Sequence, residues 1–150
     1  MQLAAWLRSA RSVVVLTHVK PDGDAVGSAV GLVRALKHRG AEAAAFFYGP
    51  KPGWIDRLLG EHSGDAEFCS PGTMPTLQSR REPDAIIVCD TGSWSQLEPV
   101  KEWLKARRDR VAVVDHHAHG DAEVSDRRVI DAGQAAACMI LAALAAELLD

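Results

Sequence analysis

An α/β fold, built on an open and mostly parallel sheet with helices on both faces, is what this sequence predicts. Three observations lead there. Short aliphatic, β-branched runs alternate with stretches of helical period. The runs VVVL, AIIV and VAVV are apolar throughout, as strands buried on both faces must be. Strands of that kind, separated by helices, call for right-handed crossovers that cover a parallel sheet on both sides. Each of the three runs also ends in acidic or imidazole side chains, at His18, at Asp90 and at Asp115, His116 and His117.

The elements follow in order. Residues 3–9 predict a first helix and 13–17 a strand. Over 24–39 the period changes, with apolar residues at Val26, Ala29, Val30, Val33 and Leu36 marking one helical stripe that closes at Gly40. Gly27 and Gly31 are expected to let this helix approach the sheet closely. A strand over 43–48 is ended by GPKPG, and 54–59 reads as a short helix. The polar stretch up to about residue 82, which contains proline and glycine, carries no readable period. Beyond it come a strand over 84–90, a helix over 96–107, strands over 111–117 and 128–131, and a final helix over 135–149 rich in Ala and Leu.

With 150 residues, 47% of them hydrophobic, the chain is sized for one core and one domain. A formal charge of -3 gives no general basic field, which argues against stable binding of duplex DNA. Cys69, Cys89 and Cys138 are scattered, odd in number and form no CxxC pair, so buried free thiols in a reducing compartment are expected. No stretch has the length and apolarity of a signal or a membrane span, and the expectation is a cytoplasmic protein with no membrane partner.

In open α/β sheets ligands bind beyond the carboxyl ends of the strands. Three strands far apart in sequence deliver acids and imidazoles to that edge. The spacing His18-x-x-x-Asp22-x-Asp24 suits a loop wrapped round hard or borderline cations, with Asp22 and Asp24 reaching neighbouring ions and Asp90 bridging them. Each residue alone has an ordinary reading. Asp24 would cap the following helix, Asp22-Gly23 would make a turn, and His116 and His117 would lie on a surface loop. The convergence of three strand ends favours a metal site. His38, at a helix C-terminus, and His62, in an unreadable loop, are expected to play no part. Trp6, Trp54 and Trp103 are expected to be packing residues, and His119 is a further candidate for substrate contact.

The segments THVKPDGDAVGS, VCDTG and VDHHAHGD, in that order, resemble motifs I, II and III of the DHH phosphoesterase family. The first is most similar to the branch of oligoribonucleases and phosphoadenosine-phosphate phosphatases, the nanoRNase-like enzymes, and the resemblance spans about residues 12–149. It implies a two-metal hydrolase, with His18, Asp22 and Asp90 on one ion and Asp24, Asp90 and His116 on the other. In that scheme His117 faces the substrate phosphate and Asp115 supports the ligands. Gly27 and Ser28 sit at the phosphate-facing start of the helix. The implied cations are two Mn2+, with Mg2+ or Co2+ also suited to the donors. The implied substrates are short oligonucleotides or nucleoside bisphosphates, and the wider family extends to cyclic dinucleotides and pyrophosphate; a homodimer is left open.

The sequence also departs from the family. Members continue through a further DTG-type segment that gives the second metal its remaining aspartate, and then a glycine-rich substrate domain. Residues 1–150 are therefore expected to be the N-terminal portion of a DHH catalytic domain, truncated before both. Asp131 matches the family's acidic position ahead of the last helix, while alanines replace the small hydroxyl residues that usually follow it. The alternative to an enzyme is a non-catalytic module that keeps the fold and some affinity for metal and nucleotide.

Overall fold

The chain is seen in a computed structural model, which describes residues 2–118 and 124–150. Six strands form one sheet, paired in parallel throughout: β1 (Ser12–Leu16), β2 (Glu42–Tyr48), β3 (Ala66–Cys69), β4 (Ala85–Cys89), β5 (Val111–Asp115) and β6 (Arg128–Ile130). Their spatial order is β3-β2-β1-β4-β5-β6, so the order of winding reverses between β1 and β4. That reversal opens a crevice at the carboxyl ends of the two central strands, the usual ligand position in a doubly wound sheet.

Alternate side chains of the strands feed two cores. Val13, Val15, Ala45, Phe47, Ile87 and Val114 pack under α1 (Gln2–Ser9), α2 (Gly23–His38), α3 (Ile55–Leu59) and α5 (Ala137–Leu149). Val14, Leu16, Phe46, Ile86, Val88 and Val113 face the opposite way, against Leu97, Val100 and Leu104. β1, β4 and β5 are buried along their whole length, in accord with their uninterrupted apolar sequences. Among the described residues no helix is long and apolar enough to cross a membrane.

Several local expectations are corrected. The helix expected over 96–107 is a 3₁₀ segment, Trp94–Val100, followed by the short α4 (Lys101–Lys105). Pro99 lies inside the first segment, where it lacks the amide an α-helical ladder needs. Gly27 and Gly31 lie on the exposed side of α2, and a Cβ on either would meet nothing within 4 Å, so neither serves close packing. Trp54 is 40% exposed, outside the core, because α3 is a single short turn that buries only Ile55 and Leu59. Trp6 and Trp103 do pack against the core, and guanidinium groups lie over their outer faces, Arg127 at 4.1 Å and Arg107 at 4.4 Å. Cys69 and Cys89 are buried, but Cys138 is only partly so.

Candidate metal centre

β1 ends at Leu16, and the chain then turns outward through Thr17 and His18. The turn is pinned from two sides: the Val19 amide donates to the Gln96 carbonyl at 3.0 Å, and the Lys20 amide to Tyr48 at 3.4 Å. His18 Nδ1 lies 2.8 Å from the carbonyl of Val19, which fixes Nδ1 as the protonated nitrogen and leaves Nε2 facing the crevice. The N-cap of α2 is Asp22, whose Oδ1 accepts the Ala25 amide at 2.9 Å. Asp24, whose ordinary reading was the local cap, instead sits in the first turn and reaches across to α5, accepting the amides of Ala137 at 2.8 Å and Cys138 at 2.9 Å.

Asp90 follows β4 directly. It is 3% exposed and adopts φ 63°, a left-handed conformation that aspartate tolerates better than most side chains. Its two oxygens face different partners. His18 Nε2 is 3.4 Å from Oδ2, and His116 Nε2 is 3.4 Å from Oδ1. Asp22 Oδ1 lies 3.8 Å from His18 on one side, and Asp24 Oδ2 lies 3.7 Å from His116 on the other. Asp90 thus stands between two half-sites, each made of one imidazole and one further carboxylate.

Asp115, the buried last residue of β5, orders the histidine pair. Its Oδ1 accepts the His116 amide at 2.8 Å and the His117 amide at 3.3 Å, and lies 2.7 Å from His117 Nδ1. His116 Nδ1 is 3.3 Å from the carbonyl of Gln134, so in this ring too Nε2 is the nitrogen left for the crevice. Thr91, Gly92, Ser93, Ser95 and Gln96 complete the opposite wall of a cavity of about 650 Å³, with Ala135 and Ala136 at its edge. The Thr91 hydroxyl donates to Gln96 Oε1 at 2.6 Å, which fixes that amide group. Sequence reading overlooked this wall, although the hydroxyl-rich TGSWSQ directly behind Asp90 was its signal.

The charges respond to one another. The Asp90 hydrogen bond raises His18 above its usual range, against the opposing effect of burial. Asp115 does the same for His117. Partial burial pushes the Asp24 carboxyl up, but the amides of Cys138 and Ala137 outweigh it and hold the group below its ordinary value. Asp90 Oδ1 is buried and has no hydrogen-bond donor among the described residues, an expensive state for a carboxylate unless a cation satisfies it. Donor atoms of His18, Asp22 and Asp90 lie within 4.8 Å of one another, as do those of Asp90, Asp115, His116 and His117. A set of imidazole nitrogens and carboxylate oxygens around an unsatisfied buried oxygen fits divalent cations.

All the expected ligands, His18, Asp22, Asp24, Asp90 and His116, therefore line one cavity together with Asp115 and His117. Gly27 and Ser28 do not line it; Gly27 is exposed, and Ser28 is buried behind Asp24, to which its hydroxyl donates at 3.4 Å. Asp131 is also away from the cavity, where it closes a turn through the amide of Gly133 at 3.0 Å. His119 lies outside the described residues.

The sequence and the fold are similar to those of known proteins. A bifunctional oligoribonuclease and PAP phosphatase, NrnA, of Thermus thermophilus is 36% identical over 77 residues, which are 50% of this chain and 23% of that protein. A cyclic-di-AMP phosphodiesterase, GdpP, of Geobacillus thermodenitrificans is 30% identical over 112 residues, 73% of this chain and 17% of that protein. The fold matches the crystal structure of an exopolyphosphatase-related protein from Bacteroides fragilis with a TM-score of 0.80 at 19% identity, covering 98% of this chain and 42% of that one. It also matches exonuclease RecJ bound to manganese, with a TM-score of 0.58 at 18% identity, covering 98% of this chain and 36% of that one. The chain thus spans less than half the length of each of these proteins. The DHH family, N-terminal domain, matches residues 12–149, and with the sheet and its carboxyl-edge cluster in place the chain belongs to that family.

Proposed function

We propose that the chain carries the metal-binding part of a phosphoesterase that cleaves phosphodiester or phosphomonoester bonds in short oligonucleotides or nucleoside bisphosphates. The observation that carries this reading is the Asp90 carboxylate, buried, with one oxygen turned to His18 and the other to His116. A phosphate cannot approach a pocket containing Asp22, Asp24, Asp90 and Asp115 unless cations offset their charge. His18, Asp22 and Asp90 would hold one divalent cation, and Asp24, Asp90 and His116 a second. Such a pair would supply charge for the phosphoryl oxygens and lower the pKa of a bound water; the similar RecJ structure is bound to manganese.

The remaining residues shape the reaction. His117 is half-exposed at the mouth of the cavity, and Asp115 both orients its ring and favours its protonated form. It is placed to hold a proton against a phosphate oxygen. Ser93, Ser95 and Gln96 offer neutral donors on the facing wall, suited to phosphate or ribose oxygens.

The similarity to the oligoribonuclease and PAP phosphatase supports short RNA and nucleoside bisphosphate as substrates, and the similarity to the phosphodiesterase keeps cyclic dinucleotides as the second reading. The test is Mn2+-dependent hydrolysis of a dinucleotide RNA, a nucleoside 3′,5′-bisphosphate, a cyclic dinucleotide and pyrophosphate, each with the wild-type chain and Asp90→Ala. Cleavage of one of the first two, dependent on metal and on Asp90, is expected. Turnover indifferent to chelator or to Asp90→Ala would refute the proposal.

A further inference from the structure

The first turn of α5 has an unusual arrangement at its start. Its N-cap residue, Ala136, has no side chain able to accept a hydrogen bond, and the first turn carries no acidic residue. Two of the amides left open at a helix start, those of Ala137 and Cys138, are instead taken by both oxygens of Asp24, which lies 113 and 114 residues away in sequence. The segment leading into the helix acts on the partner of Asp24 as well, because the Gln134 carbonyl is the group that fixes His116 Nδ1. One stretch of backbone, 134–138, therefore holds both side chains of the Asp24–His116 half-site by main-chain groups. No comparable contact joins α5 to His18 or Asp22 among the described residues.

We propose that Asp24 is at once a ligand of the candidate metal centre and the N-terminal cap of α5, and that the 134–138 turn is the positioning element for that half of the centre alone. The proposal rests on the metal-centre reading above and deepens it. Oδ1 accepts both the Cys138 amide and the Ser28 hydroxyl, but Oδ2, which lies 3.7 Å from His116 Nε2, accepts only the Ala137 amide and keeps a second lone pair, so capping and ligation are compatible; the amides set the direction in which Asp24 can reach a cation. Ala136, at the N-cap position, supplies no side-chain acceptor and so leaves the cap to Asp24. With a hydroxyl or carboxyl at 136, the helix would carry its own cap.

Two measurements separate capping from ligation. In metal-free protein, hydrogen exchange at the Ala137 and Cys138 amides should be at least tenfold faster in Asp24→Ala than in wild type. Adding Ala136→Ser to that variant should restore most of the lost melting temperature by supplying a local cap. Exchange unchanged by Asp24→Ala overturns the capping role. Mn2+ titration then tests positioning. Wild type should show two classes of site, Asp24→Ala should lose one, and Ala136→Ser should not bring it back. Ala137→Pro provides the sharper test. Position 137 is the first of the helix, where proline is favoured, and Ala136 is already extended at φ −157° and ψ 152°, as a residue before proline prefers. It removes one donor to Asp24 and leaves every ligand in place. One Mn2+ class should weaken at least tenfold while the other moves less than twofold. Both classes unchanged, or both weakened equally, overturns selective positioning. If Ala137→Pro does not fold, replacing the Ala137 amide by a backbone ester removes the same donor without the proline ring and is judged by the same criteria. A wild-type chain that binds no Mn2+ refutes the metal-centre reading and the coupling with it, while the exchange data still decide whether Asp24 is the cap.

Discussion

Asp90 combines three properties rarely found in one side chain: it is buried, it has a left-handed backbone, and it has an oxygen with no donor among the described residues. The first and third would normally be destabilising, and a cation removes the conflict. Saturating Mn2+ is therefore expected to raise the melting temperature. At a hundredfold excess over Kd the gain is about 2.7 kcal/mol, on the order of 5–10 °C for a domain of this size. Asp90→Asn should abolish that rise, because it takes the charge of the proposed bridging carboxylate from both half-sites, yet leave the metal-free protein well folded, since asparagine also tolerates positive φ. Asp90→Ala should abolish the rise too and lower the metal-free midpoint further, alanine being costly in the left-handed region by about 1 kcal/mol or more. Thermal melts of the three proteins with Mn2+ and with chelator decide the matter. A wild-type midpoint unmoved by millimolar Mn2+ would count directly against a functional centre.

At the level of elements, what could be read from the sequence followed local chemistry. β1, β4, β5 and α2 were legible because burial on both faces, or on one helical stripe, leaves a mark on every residue. β3 was not, because it has four residues and alternating partial exposure, so AEFC carries too few apolar positions to show a period. His18, Asp90, Asp115 and His116 were legible because they stand at the ends of apolar runs, and Asp22 and Asp24 because of their short spacing from His18, while the capping of α5 by Asp24 was hidden, since no local pattern reports a contact between residues 24 and 137. Asp84 illustrates the same limit. It precedes β4, yet its carboxylate accepts the amides of Arg11 at 2.8 Å and Ser12 at 3.1 Å, tying the start of β4 to the start of β1. The Arg11 amide is the main influence holding its pKa below the ordinary value of 3.8, against partial burial. A group whose pKa is depressed by folding stabilises above the unfolded pKa and ceases to do so as pH falls through the folded one. Asp84→Asn should accordingly melt below wild type near neutral pH, and the gap should close below about pH 4. A gap that is constant from pH 7 to pH 3 would show that the charge contributes nothing.

The whole molecule places its chemistry where the strand order reverses, over the ends of β1 and β4, with β5 adding the histidine pair from the adjacent position. The crevice is open: His117 and the Ser93–Gln96 wall reach solvent, and the chain spans less than half of each relative it matches. This has a kinetic consequence. In a two-metal reaction both ions must stay at a fixed separation and the phosphoryl group must be held across them. The DHH resemblance implies a further aspartate for the second ion and a glycine-rich domain that grips the substrate, and the described residues contain neither. Orientation of a well-placed reactant is worth about 7–11 kcal/mol, so losing even part of it is severe. The 150-residue chain on its own is expected to cleave short RNA at least about a thousandfold more slowly than the same chain joined to such a segment and domain, a difference of roughly 4 kcal/mol. The residual rate should still require Mn2+ and should vanish in Asp90→Ala, because Asp90, the proposed bridge, belongs to this chain. Single-turnover rates for the isolated chain, the extended protein and their Asp90→Ala variants provide the comparison. Equal rates with and without the extension would mean that residues 1–150 position the substrate unaided, and a residual rate untouched by Asp90→Ala would place the cleavage outside the crevice altogether.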